Sequence, residues 1–222
     1  MMYDREMRFP IILLQRLYSL LYHQFAWAYD FIAAVVSLGN WNNWVQTTLP
    51  FSKGRVLELG FGTGRLQRLF YENGILAFGV DESREMVAKS RRFLRKNSTP
   101  LRLIRGYAQS LPFRSDYFDT VVSTFPAEYI FDPRTILEIK RVLQPIGRFI
   151  LLPTAWITGL SFSERLLAWL LRVLGHTQGE PGAISTAFKN QFNHLGFEMH
   201  SEVIGCKGSQ VLIITAQKLP GF

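Results

Sequence analysis

The amino-acid sequence predicts an α/β protein with a doubly wound, mostly parallel, seven-stranded sheet that ends in an antiparallel hairpin. Three observations predict it. Short β-rich runs alternate with amphipathic helical runs between Arg55 and Leu152, the pattern of a parallel sheet covered on both faces. The first strand enters a turn with glycine at 60, 62 and 64 and then a helix, which is how such sheets approach a nucleotide-like ligand. The two last apolar runs, Phe197 to Ile204 and Gln210 to Gln217, have no helix between them, so they pair as a hairpin at the sheet edge.

The elements follow in order. From Pro10 to about Leu38, Leu14, Leu17, Tyr18, Leu21, Tyr22, Phe25 and Tyr29 recur at helical spacing and predict one or two amphipathic helices. Gly39-Asn40 ends that pattern, and Trp41 opens a short helix that runs to Pro50. A helical extension over 1–52 and a sheet domain over 53–222 are therefore expected. Strands are predicted at Arg55 to Leu59, Ala77 to Val80, Leu101 to Arg105, Thr120 to Thr124 and Arg148 to Leu152, with helices at Arg65 to Glu72, Arg84 to Lys96 and Pro133 to Leu143. Asn73-Gly74 closes the first helix, and Asp132-Pro133 supplies cap and first-turn proline for the third. Ser161 and Glu164 form a capping box for a broadly apolar helix that ends at Gly175. The link Gly179-Glu180-Pro181-Gly182 then leads to a last helix near Ser185 to His194.

Composition bounds the function. With 222 residues and 48% hydrophobic content, the chain can bury one large core. The lone Cys206 and the brevity of the run Ile11 to Leu14 predict an intracellular, cytoplasmic protein without disulfide or leader. Thirteen uncharged residues between Arg16 and Asp30 are fewer than the roughly 17 to 20 that cross a hydrocarbon core. The net charge of +8 suits nucleic acid or an anionic membrane surface. Aromatic residues crowd the first fifty positions, which favours an apolar partner, and the absence of an appended RNA-binding module argues against nucleic acid. No metal site is expected.

Chemistry concentrates at Glu58-Leu59-Gly60-Phe61-Gly62-Thr63-Gly64. Glycines let the backbone turn sharply and approach a ligand without a Cβ in the way. The 60/62/64 spacing differs from the dinucleotide fingerprint, and the Glu58 carboxylate would repel a pyrophosphate but face a cationic amino group. Asp81, about twenty residues on, can accept both hydroxyls of a ribose; its alternative role is a helix N-cap.

The motifs Val56 to Gly64, Gly79-Val80-Asp81, Gly106-Tyr107-Ala108-Gln109-Ser110-Leu111-Pro112-Phe113, Asp116-Tyr117-Phe118-Asp119 and Glu138 to Gly147 resemble the class I S-adenosylmethionine-dependent methyltransferases, within them the ubiquinone and menaquinone biosynthesis C-methyltransferases. The resemblance spans about residues 20 to 218 and implies a Rossmann-like methyltransferase fold with S-adenosyl-L-methionine as cofactor. It implies that Gly60, Gly62 and Gly64 line the methionine and ribose, that Asp81 grips the ribose, and that Tyr107, Ala108 and Gln109 border adenine; Glu58, Phe61, Thr63, Glu82 and Thr124 complete the expected cofactor-binding set. Phe25 to Asp30 looks like the aromatic segment that lies across the cofactor as a lid in the quinone-methylating relatives, which makes Tyr29 the N-terminal contact. Two positions depart from the family pattern: Tyr107, where many relatives carry Asp, and Ile146, where a Pro-Gly-Gly turn is usual.

A substrate enters above the carboxyl ends of the strands, so Phe125, Glu128, Tyr129 and Trp156 are the substrate candidates. Methyl transfer needs alignment and exclusion of water more than a base. For an amine or phenol acceptor, Glu128, His23 and His176 are the side chains able to take the proton. The N-terminal stripe and the 161 to 174 helix carry wide apolar faces beside Arg, and Arg84, Lys89, Arg91, Arg92, Arg95 and Lys96 make a basic helix. Such surfaces suit peripheral contact with anionic lipid on the inner face of a membrane; core packing and a solvated face are the alternatives. The expected activity is methylation of a hydrophobic or lipid-like small molecule, a quinone precursor or a phospholipid amine, at the membrane surface. The rivals are methylation of a soluble aromatic metabolite, and a cofactor-binding module without turnover that binds lipid or a partner.

Overall fold

The computed structural model describes residues 39–158 and 181–219. The N-terminal stripe with His23 and Tyr29, the 161 to 174 helix and His176 lie outside the described residues. From Asn40 onward the described residues belong to one compact unit.

The order is α1 (Trp41–Gln46), a 3-10 turn (Leu49–Phe51), β1 (Arg55–Leu59), α2 (Arg65–Glu72), β2 (Leu76–Asp81), α3 (Arg84–Lys96), β3 (Leu103–Arg105), β4 (Phe118–Thr124), a 3-10 turn (Glu128–Phe131), α4 (Pro133–Val142), β5 (Leu143–Ile157), α5 (Pro181–Asn193), β6 (Phe197–Cys206) and β7 (Ser209–Lys218). The strands form a seven-stranded sheet in the order β3-β2-β1-β4-β5-β7-β6. The first five are parallel, and β7 runs antiparallel to both β5 and β6.

Alternation along the strands splits the core between the two faces. Leu57, Leu59, Val121, Phe149 and Leu151 face one cluster with Ile136 and Ile139 of α4 and Phe188 and Phe192 of α5. Val56, Val122, Ile150 and Leu152 face the other, with Trp44 and Val45 of α1 and Leu66 and Phe70 of α2. Phe61, Val87, Leu94 and Leu103 seat α3. The buried Trp44 indole N–H donates to Ser209 Oγ at 2.7 Å, tying α1 to β7.

Local signals set the helix ends. Ser83 Oγ accepts from the Met86 amide and caps α3. Asp132 caps α4 ahead of Pro133, and Gly74, at φ 69°, follows the C-cap of α2. Several expectations on extent need correction: α1 ends at Gln46 and does not run to Pro50, and β4 begins at Phe118 ahead of Thr120. β3 is shorter than Leu101 to Arg105, because its pairing with β2 begins only at Gly79 opposite Leu103. α5 is already helical at Pro181, ahead of Ser185. β5 extends well beyond Arg148 to Leu152, because β7 continues to pair with it as far as Ile157 opposite Ser209. The register with β7 shifts between Leu151 and Thr154, where Pro153 has no N–H to give to a ladder.

Candidate functional site

The strand order turns outward in both directions from β1 and β4, and ligands of such sheets bind at the carboxyl ends beside that switch point. There β1 ends at Leu59 and the chain turns through Gly60, Gly62 and Gly64 at φ 72°, 52° and 81°. A side chain strains in that region, which explains glycine at all three positions. Their surroundings differ. A Cβ on Gly60 would fall 2.7 Å from Tyr129 Oη, and one on Gly64 would press Ser90 and Leu94 of α3; Gly62 has open space around its Cβ position. Gly60 and Gly62 thus shape the crevice, and Gly64 lets α2 and α3 pack.

Asp81 ends β2 beside this turn. Its Oδ2 accepts from the Gly62 amide at 2.8 Å and its Oδ1 from the Ser83 amide at 2.9 Å. The helix cap is Ser83, so the N-cap alternative for Asp81 falls away. A carboxylate has about four acceptor positions; two are used, and two remain for vicinal hydroxyls. Burial raises the Asp81 pKa against the two amide bonds that lower it.

Glu58 is buried, with 2% of its surface exposed. Its Oε2 accepts from Gln67 Nε2 at 2.8 Å, and the same amide nitrogen donates to the Phe78 carbonyl at 3.1 Å. Burial pushes its pKa up to about 8; the Gln67 bond opposes this and the Asp81 charge adds to it. A cation brought to the turn would restore the carboxylate.

The hydroxyls of Ser123, on β4, and Tyr129, on the 3-10 turn, meet the Leu59 carbonyl. Ser123 Oγ lies 3.0 Å and Tyr129 Oη 3.2 Å from that oxygen, and 2.9 Å from each other. The Tyr129 ring is thereby locked against the Gly60 turn.

The structure brings Glu58, Gly60, Gly62, Asp81 and Tyr129 together. The main chain of Phe61 and Thr63 completes the turn, while the Phe61 ring is buried under α3. Tyr107, Ala108 and Gln109 follow β3, next to Asp81: the Gly106 amide donates to the Asp81 carbonyl at 3.1 Å. The Tyr107 side chain is 58% exposed, and Gln109 is half-buried. Thr124 is half-buried at the end of β4, while Glu82 is exposed and its carbonyl accepts from Arg105 Nε. The four substrate candidates divide between faces. Tyr129 and Trp156 pack on the α4 side, whereas Phe125 turns to Trp41 and Trp44, with ring centroids 4.5 and 5.9 Å away. Glu128 is exposed on the 3-10 turn. Sequence reasoning missed Gln67, Ser123, Glu138 and Arg141, whose partners are brought close only by the fold.

The donor set fits S-adenosyl-L-methionine. Asp81 retains acceptors for a ribose, the glycines open the backbone, and Glu58 offers a buried carboxyl near the turn.

Comparisons with known proteins agree. Residues 57–151 match the family described as "Methyltransferase domain". The uncharacterized methyltransferase YcgJ of Bacillus subtilis is 35% identical over 109 residues, 48% of this chain and 43% of that protein. The demethylmenaquinone methyltransferase of Thermotoga maritima is 28% identical over 203 residues, 86% of this chain and 87% of that protein. Apart from the latter, the chain spans about half the length of the first curated relatives it matches. Among solved structures, that of a putative S-adenosyl-L-methionine-dependent methyltransferase from Methanococcus maripaludis shares the fold, with a TM-score of 0.65 at 14% identity, covering 90% of this chain and 94% of that one. Residues 57–151 carry a methyltransferase domain of the class I S-adenosylmethionine-dependent type, and the chain resembles the ubiquinone/menaquinone biosynthesis C-methyltransferase branch of that class.

Proposed function

We propose that this protein transfers a methyl group from S-adenosyl-L-methionine to a hydrophobic, lipid-like small molecule at a membrane surface, a prenylated quinone precursor or a phospholipid amine. The observation that carries the methyl-transfer reading is the crevice formed by Asp81, the Gly60 to Gly62 backbone and Tyr129. When bound, S-adenosylmethionine supplies an electrophilic methyl group on its sulfonium. The protein's share is alignment. Asp81 accepts the ribose hydroxyls, Glu58 compensates the cationic amino group, and the open space at Gly62 admits the ligand beside Asp81.

The likeness to a demethylmenaquinone methyltransferase over most of both chains supports a lipid-like acceptor. So does the basic face of α3, where Arg84, Arg91, Arg92, Arg95 and Lys96 are exposed, since each cation near an anionic bilayer contributes about 1 kcal/mol. No helix among the described residues is long and apolar enough to cross a membrane.

Calorimetry with S-adenosylhomocysteine tests the cofactor: binding by the wild type and a loss of at least about tenfold in Asp81→Asn are expected, and no heat from the wild type overturns the reading. Transfer of labelled methyl to demethylmenaquinone, phosphatidylethanolamine or a soluble catechol then identifies the acceptor. Labelling of the catechol alone, with no flotation on phosphatidylglycerol vesicles, refutes the lipid half.

A further inference from the structure

The segment between β3 and β4 begins beside the ribose carboxylate. Asp81 on β2 lies between β1, which carries the Gly60 turn, and β3. A nucleoside held by its ribose at Asp81, with its aliphatic arm directed to the Gly60 turn, therefore directs its base toward residues 106 to 110. The Gly106 amide bond to the Asp81 carbonyl fixes the start of that segment. Its far end is fixed by α4.

Two α4 residues hold it. Glu138 Oε2 accepts from the Leu111 amide at 2.7 Å. Arg141 Nη2 donates to the Leu111 carbonyl at 3.0 Å and Nη1 to the Phe113 carbonyl at 2.7 Å. The two side chains also pair bidentately, Nε to Oε1 at 2.6 Å and Nη2 to Oε2 at 2.7 Å. Four of the five guanidinium N–H donors are thus committed, and both the amide and the carbonyl of Leu111 are held by one ion pair. Arg141 keeps the Glu138 carboxyl below the usual carboxylate range, so the pair stays charged near neutral pH. A solvated i,i+3 pair has no need of main-chain partners 27 and 30 residues away.

We propose that Glu138 and Arg141 are positioning residues for recognition of the nucleoside base: by gripping the main chain of Leu111 and Phe113 they set the 107–110 turn at the distance from Asp81 that selects adenine. This rests on the reading that Asp81 grips the ribose of an adenosyl ligand. Lysine at 141 keeps the charge but cannot span three acceptors. Glutamine at 138 still accepts from the Leu111 amide.

The test compares S-adenosylhomocysteine with S-inosylhomocysteine, whose base carries a carbonyl in place of the amino group, by calorimetry on the full chain. Melting temperatures are recorded alongside. The wild type prefers the adenosyl compound. Arg141→Lys loses about tenfold in adenosyl affinity, the equivalent of one hydrogen bond to the base, and less in inosyl affinity, so the preference shrinks; Glu138→Gln falls between. In the ligand-free protein the Leu111 amide exchanges faster in both variants. If either folded variant melts lower yet keeps the wild-type preference, the pair is only a structural tie and the proposal is overturned. Should Arg141→Lys not fold, Glu138→Gln alone decides between these outcomes. A wild type that binds neither compound overturns the methyltransferase reading and this inference together. Normal binding with an unchanged preference in the variants overturns this inference alone.

Discussion

Gly60→Ala combined with Tyr129→Phe gives a sharp test of how the glycine turn is built. At φ 72°, alanine costs about 1–2 kcal/mol in backbone strain. Its Cβ would lie 2.7 Å from Tyr129 Oη, so the hydroxyl must move and loosen its contacts with Leu59 O and Ser123 Oγ, at about 1 kcal/mol. The single substitution therefore costs about 2–3 kcal/mol. Tyr129→Phe alone loses the hydroxyl bonds, about 1–2 kcal/mol. With phenylalanine present, the nearest ring atom to the new Cβ is Cζ, at 3.6 Å, an ordinary contact. The alanine then costs only its backbone share, and the double variant loses about 2–4 kcal/mol instead of the additive 3–5, an interaction of about −1 kcal/mol. Urea midpoints with unchanged slopes measure all three variants. Additivity within about 0.3–0.5 kcal/mol would refute the close approach of hydroxyl and turn.

Further predictions concern single sites. Glu58 takes up its proton more readily folded than unfolded, with a pKa of about 8 against 4.5, so its protonated state stabilises the fold at low pH and that stability declines as pH rises from about 4.5 to about 8. Asp81, also raised, adds to the decline. Glu58→Gln should flatten the curve of urea midpoint against pH, and an unchanged slope contradicts the burial argument. Binding of S-adenosylhomocysteine should release a proton from Glu58 near pH 7, seen as a binding heat that depends on the buffer's ionisation enthalpy. Ile146 holds φ 65° while 60% exposed; Ile146→Gly relieves that strain and should gain about 0.5–1 kcal/mol after the glycine entropy cost, read as a higher melting temperature. Thr135 Oγ1 is the one buried side-chain N or O atom among the described residues without a hydrogen-bond partner. Thr135→Val should therefore stabilise by about 1 kcal/mol, and a loss of stability would mean that the hydroxyl has a partner.

The parts of the fold legible in the sequence are those set by neighbours along the chain. The bounds of β1, α2 and α3 match the sequence reading because glycine, serine and asparagine signals sit at their ends. β5 could not be bounded that way, since its last residues are strand only because β7 lies alongside. The same division holds at the site. Asp81 and the glycines announce themselves by spacing, whereas Ser123 reaches a carbonyl 64 residues away and Arg141 one 30 residues away. Phe125 illustrates the limit: its position after β4 marks it as a substrate candidate, but φ 47° and the two tryptophans of α1 turn it to the opposite face from Tyr129. Ile146 likewise reads in the sequence only as a departure from the Pro-Gly-Gly turn, and the structure shows the backbone still in the glycine conformation.

The position of β7 has a consequence in time. It lies between β5 and β6, yet both precede it in the chain, so β6 has no neighbour in the sheet until β7 is in place. β6 and β7 are joined by a two-residue turn and pair locally, so the long-range step is the docking of β7 on β5. Pairings of such long sequence separation are slow to find, and until β7 arrives β5 presents an unpaired edge to any other strand nearby. Closing that edge commits the molecule to its final topology.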